Sequence, residues 1–161
     1  MATDTKPLSA LGLTATRGGD AAVTGVSLDS RTVKRGHLFA ALPGSRVHGG
    51  EFIQYALRMG AGAILTDRAG AEIAAAELAA SDASLVVVED PRAAFAHTCA
   101  LWFGAQPETM VAVTGTNGKT SVASFTRQIW AAMGREAANI GTTGVEGAFS
   151  APGIHTTPDP L

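Results

Sequence analysis

The sequence predicts an α/β fold, a small α/β domain followed by the start of a second unit with a parallel sheet beside a glycine-rich loop. Three observations predict it. From Val23 onward, short apolar or β-branched runs alternate with amphipathic stretches of helical length, the order that gives parallel strands joined by crossover helices. The run Leu85-Val-Val-Val88 is apolar throughout, as befits a strand covered on both faces. Finally, Gly115-Thr116-Asn117-Gly118-Lys119-Thr120 stands between an apolar run and an amphipathic one.

The elements follow in order. Val23 to Leu28 alternates and reads as a short strand stopped by Asp29-Ser30, and His37 to Leu42 reads as a second strand ending at Pro43-Gly44. Arg31, Lys34 and Arg35 between them belong on a solvated turn. Gly50 to Met59 puts Phe52, Ile53, Ala56 and Leu57 on one helical face, with Gly60 placed to stop the helix in a left-handed conformation. A buried strand over Ala63 to Thr66, an alanine-rich helix over Ala71 to Ala80 and the strand at Leu85 to Val88 come next. Asp90-Pro91 has the form of an N-cap with proline at the first helical position, opening a helix that runs to about Phe103. The domain boundary is expected near Asp90, giving domains 1–90 and 91–161. The second unit then begins with a strand over Met110 to Thr114. Past the glycine loop comes a helix with Val122, Phe125, Ile129, Trp130 and Met133 on one side, and a second parallel strand at Ile140.

Composition narrows the function. Hydrophobic residues make up 46% and charged residues 16%, enough apolar side chain to bury a core and too little charge for a disordered tail. A net charge of -2 and few aromatics supply no basic field, so nucleic acid is not an expected partner. No cationic start followed by an apolar run opens the chain, and no stretch of about 18 apolar residues occurs, so neither export nor membrane insertion is expected and a cytoplasmic location is. The single cysteine, Cys99, lies in an apolar stretch and reads as a buried, inert thiol. His37, His48, His97 and His155 share no metal-ligand spacing.

The glycine loop carries the chemistry. Phosphate oxygens need donors close by on several sides, and Gly115 and Gly118 allow this because they lack a Cβ and accept positive φ. A helix starting near Lys119 adds unpaired amides and the positive end of its dipole. The Lys119 ammonium can then reach β- and γ-phosphates while the Thr120 hydroxyl can ligate magnesium. A nucleoside triphosphate with Mg2+ is the expected ligand pair. The loop is G-x-x-G-K-T, with Val113 where the fuller P-loop pattern has glycine.

With Asn117 inside it, Thr114 to Ser121 resembles the ATP loop of the Mur ligases and of the related folylpolyglutamate synthetases. Ser27-Leu-Asp-Ser-Arg31, Gly36 to Gly44, His48-Gly-Gly-Glu-Phe-Ile53 and Gly60 to Ala63 resemble the UDP-binding domain shared by Mur ligase types E and F. Asn117 and Thr156-Thr157-Pro158-Asp159 favour type E.

That resemblance implies a small N-terminal UDP-binding domain followed by the beginning of a P-loop ATP-binding domain. It also implies ATP-dependent addition of meso-diaminopimelate or L-lysine, the former preferred, to UDP-N-acetylmuramoyl-L-alanyl-D-glutamate during peptidoglycan synthesis. Carried over residue by residue, it gives Lys119 a catalytic role and assigns Gly115, Thr116, Asn117, Gly118, Lys119, Thr120 and Ser121 to ATP. It puts Leu28 and Ser30 at the uridine end, with Ser45, Arg46 and Val47 lining the same site, and Thr156 and Thr157 at the muramoyl peptide. Leu28 also fits a plain core position, Ser30 a turn and Arg46 a solvated loop. The family's further magnesium ligands, modified lysine and C-terminal domain have no counterpart in the sequence, so this chain alone is expected to lack turnover. Two other readings stay open: a P-loop NTPase or kinase of another family, and a non-catalytic UDP-sugar-binding module.

Overall fold

The structure is a computed structural model that describes residues 5–152. It divides into two compact units with the boundary between Gln106 and Pro107.

The first unit is built on a two-strand ribbon and a four-stranded parallel sheet. The ribbon pairs β1 (Lys6–Pro7) antiparallel with β2 (Ala22–Val23). The sheet runs β3 (Gly25–Ser27), β4 (His37–Ala41), β5 (Ala63–Thr66) and β6 (Ser84–Val87), in that order. Between β4 and β5 the chain passes through a 3-10 turn, Gly49–Phe52, and α1 (Ile53–Arg58). Between β5 and β6 it passes through α2 (Arg68–Ile73) and α3 (Ala75–Ala79). Successive side chains of a strand point to opposite faces, and here both faces are covered. Val26, Leu38, Ala40, Leu65 and Val86 form one core with Phe95 and Cys99 of α4 (Pro91–Phe103) and with Leu8 and Leu11. Phe39, Ala41 and Ile64 form the other with Ile53 and Ala56 of α1 and Leu78 of α3. This double coverage explains why the strands read as apolar runs.

Three details differ from expectation. The alanine-rich helix starts earlier, at Arg68, because the Asp67 carboxylate accepts from the Gly70 amide at 2.8 Å, and it breaks at Ala74 (φ -106, ψ 25). The segment Lys6 to Leu13 is a full part of the core: Leu8 and Leu11 are completely buried. Lys6 Nζ donates to the Leu101 and Trp102 carbonyls at 2.9 and 2.8 Å, satisfying the exposed acceptors at the end of α4. Finally, α4 belongs to the first unit. Asp90 caps it by accepting from the Arg92 and Ala93 amides at 3.1 and 2.9 Å, and Phe95 is fully buried against the sheet, so the boundary falls some sixteen residues after the expected Asp90.

The second unit holds α5 (Lys119–Ala132) and an antiparallel sheet in the order β7 (Ala138–Gly141), β8 (Gly144–Gly147), β9 (Ala151–Pro152). Among the described residues of this unit the expected parallel arrangement is not formed. Gly141 pairs with Gly144 across the two-residue turn Thr142-Thr143, and so short a connection can only fold β7 back on its neighbour, since a parallel pair needs a long crossover. Met110 to Thr114 is not a strand, having no ladder partner among the described residues. The apolar side chains consequently stay open: no residue of α5 is buried, and Met110 and Phe125 are 75% and 61% exposed.

Candidate functional site

Two places gather the residues singled out by sequence. In the second unit, the chain turns into α5 through Gly118, whose φ of +78 lies in the left-handed region, and through Gly115 at φ +141. A Cβ built on Gly118 would meet nothing, so backbone conformation rather than space demands glycine there. No side chain caps the helix, and its first closed bond runs from Val122 N to Gly118 O, which leaves the amides of Lys119, Thr120 and Ser121 to face an anion. Lys119 Nζ folds back to donate to the Gly115 carbonyl and, at 3.4 Å, to that of Thr116. The ammonium is therefore tethered over the loop, where a phosphate would replace weak carbonyl acceptors by charged ones.

Beside the loop lies a cleft of ≈ 710 Å³, lined by Lys119, Thr120, Met110 to Val113, Arg127, Trp130, Asn139 and Phe149 among others. Arg127 Nε donates to Asn139 Oδ1 at 2.7 Å, tying α5 to β7. The residues fit a triphosphate: glycines open to solvent, uncapped amides, one lysine and the hydroxyls of Thr120 and Ser121 at the start of the helix. Among the described residues no group of three or more His, Cys, Asp or Glu side chains could hold a metal ion, so Thr120 is the only predicted magnesium contact they offer.

In the first unit, all four strands of the sheet point the same way, so their carboxyl ends form one edge, the edge at which open parallel sheets bind ligands. The turn after β3 carries Leu28, half-buried, and Ser30, buried. Asp29 caps that turn by accepting from Arg31 N at 2.9 Å and pairs with the Arg31 guanidinium at 2.6 Å, and these bonds hold its carboxyl below the ordinary carboxylate range. Since Ser27 pairs with Phe39, the residues after Ser27 lie level with Ala40 and Ala41, next to the loop that leaves β4. That loop carries Ser45, Arg46 and Val47, all exposed, and closes where Gly49 N donates to Leu42 O at 2.8 Å. Leu28, Ser30 and Ser45 to Val47 thus share one edge. Thr156 and Thr157, with His155, lie outside the described residues.

Residues 22–102 match the Mur ligase family, catalytic domain, and residues 113–161 the Mur ligase middle domain. The chain belongs to the Mur ligase family. The two matched regions fall on either side of the Gln106–Pro107 boundary. Over 146 residues this Mur ligase chain is 51% identical to the UDP-N-acetylmuramoyl-L-alanyl-D-glutamate--2,6-diaminopimelate ligase of Brucella melitensis, covering 89% of this chain and 28% of the relative. A solved structure of a ligase of that same name superposes with a TM-score of 0.65 at 28% identity, covering 87% of this chain and 28% of the other. The MurF ligase of Thermotoga maritima in complex with ADP superposes with a TM-score of 0.50 at 31% identity, over 66% of this chain and 23% of the other. The chain therefore spans less than a third of the length of the relatives it matches.

One part of the geometry at this sheet edge escaped the sequence reading. His48 and Asp67, 19 residues apart, form a pair at 3.1 Å just below the Ser45–Val47 loop. The two are far apart in sequence, and only the fold brings His48 to Asp67. A sequence cue existed in His48-Gly49-Gly50, because paired glycines beside a histidine signal close packing of backbone on side chain.

Proposed function

We propose that this chain supplies the UDP-substrate-binding domain and the phosphate-binding start of the ATP domain of a type E Mur ligase. Such an enzyme joins meso-diaminopimelate to UDP-N-acetylmuramoyl-L-alanyl-D-glutamate in the cytoplasm, with Mg2+ and at the expense of ATP. The observation that carries the reading is the pairing, in one chain, of a lysine-bearing helix-start loop with a polar carboxyl edge of a parallel sheet, in a chain similar to relatives bearing that name.

The chemistry is the one that the resemblance to the Mur ligases implies. A carboxylate is a poor acyl donor, so the D-glutamate carboxylate oxygen attacks the γ-phosphorus and ADP leaves. The amine of the diamino acid then attacks the acyl carbon, phosphate departs, and the amine proton passes to solvent. Lys119 holds the γ-phosphate oxygens as charge develops on them and the loop amides orient them, while Thr120 would hold Mg2+ through its hydroxyl and the metal would supply further charge neutralisation, so the loop acts by positioning and electrostatics. Leu28, Ser30 and Ser45 to Val47 anchor the uridine end, with Thr156 and Thr157 toward the peptide. Turnover needs the remainder of the ligase.

The test is phosphate release by the full-length ligase containing this chain, given ATP, the UDP-dipeptide and each diamino acid in turn. Release that requires all three and falls by a factor of about 10²–10³ in Lys119→Ala supports the reading, a scale set by loss of a charge-stabilising donor. Release without the UDP substrate points to a general NTPase instead.

A further inference from the structure

We infer that His48 is a positioning residue for the UDP substrate, fixing the Ser45–Val47 loop through a tautomer that Asp67 imposes. The inference rests on the proposed role of that loop at the uridine end. The loop leaves β4 at Leu42 and returns at Gly49, and its own side chains are exposed, so its shape must come from its base. His48 stands at that base. Its Nδ1 accepts from the Gly50 amide at 2.9 Å, capping the 3-10 turn Gly49–Phe52, and its Nε2 lies 3.1 Å from Asp67 Oδ1 and 3.3 Å from Oδ2. A backbone amide can only donate, so Nδ1 carries the lone pair and the ring proton is on Nε2. An ionised carboxylate can only accept, so Asp67 selects that tautomer.

Asp67 is itself fixed. Burial alone would raise the pKa of Asp67, but the Gly70 amide at 2.8 Å and the His48 ring outweigh this and keep it below its ordinary value, so the carboxyl stays ionised. The packing leaves no room for a different arrangement: a Cβ on Gly70 would lie 2.6 Å from His48 Cε1, and one on Gly49 would lie 2.6 Å from the Leu42 amide nitrogen. A second brace reaches the loop from α4, where Arg92 Nη2 donates to the Pro43 carbonyl at 3.2 Å. The uridine-end loop is thus held from β5 and from α4 rather than by its own contacts, and nothing in it requires His48 or Asp67 to touch the ligand.

Replacing Asp67 by alanine removes the acceptor for Nε2–H, an oxygen that asparagine would keep because the same Oδ1 takes both the Gly70 amide and Nε2. The tautomer is then no longer selected, and a proton on Nδ1 collides with the Gly50 N–H. Calorimetric titration of UDP into this chain reads the consequence. His48→Ala and Asp67→Ala should each weaken UDP binding about tenfold, as expected for loss of one part-buried hydrogen bond that fixes a binding loop. His48→Asn, whose Oδ1 can take the place of Nδ1 on the Gly50 amide, should recover part of the loss. Gly50 amide exchange, followed by NMR, should accelerate in His48→Ala and Asp67→Ala but not in His48→Asn. Leu11→Ala serves as a control that destabilises the same unit from the opposite face of the sheet and should leave UDP affinity unchanged. Equal UDP affinity in the unsubstituted chain and the His48 and Asp67 variants, or equal losses in Leu11→Ala, overturns the inference alone. Failure of the unsubstituted chain to bind UDP overturns the loop's assigned role and the inference with it.

Discussion

Phe95→Ala tests the assignment of α4 to the first unit. The side chain is fully buried in the core formed with Leu8, Leu11, Leu38 and Val86. Removing a buried phenylalanine ring costs about 3–5 kcal/mol through lost transfer energy and the cavity left behind. A domain of this size holds only about 5–15 kcal/mol in all, so the variant should lose at least about a fifth of its stability. With a urea dependence of about 1–3 kcal/mol per molar, the midpoint should fall by about 1–5 M. Trp102 sits at the end of α4, packed against the same core and 5.7 Å from Lys6 Nζ, so its fluorescence reports this unit. The measurement is a urea titration of Trp102 emission in a Trp130→Phe background, with and without Phe95→Ala. A midpoint shift below about 0.3 M, near the extrapolation error of such curves, would refute the packing of α4 on this sheet.

Other outcomes follow from the same packing. Burial pushes the Cys99 thiol up to about 11, so at pH 8 the folded chain should resist a thiol reagent that labels it quickly in urea. Because that folded value lies above the ordinary 9.0, the associated stability is full below pH 9 and is lost as pH rises toward 11, a trend visible in alkaline urea titrations. Asp90→Ala removes the acceptor for two amides at the start of α4 and should destabilise the first unit by about 1 kcal/mol in the Trp102 titration. Gly118→Ala forces a side chain into a φ of +78 and should weaken ATP binding in the full-length ligase while leaving UDP binding intact, as separate titrations would record. The open face of α5 and the edge strand β7, with Ile140 59% exposed, should make the isolated chain self-associate, and light scattering should show Phe125→Glu reducing it.

The parallel sheet was legible because its strands are short, apolar and separated by helical periods. Ala63 to Thr66 and the Asp90-Pro91 helix start stand where local chemistry puts them. The Gly60 stop does too, with φ at +93. What escaped was tertiary. Leu8 and Leu11 sit in a stretch too short to show a period, and only their burial under α4 reveals them as core. Met110 to Thr114 reads as a strand by composition, yet β structure is made by partners, and among the described residues it has none. The glycine loop was legible as a motif because its spacing is local. The His48–Asp67 brace was not, since it joins a loop after β4 to a turn after β5.

The central claim is that the uridine end of the substrate lies at the carboxyl edge of the sheet. An NMR titration of this chain with UDP, following backbone amides, tests it most directly. The account predicts shifts at Leu28 to Arg31 and at Gly44 to Gly50, with the amino edge at Arg35, Gly36 and Gly62 unmoved. Shifts confined to that amino edge, or none at saturating UDP, would contradict it.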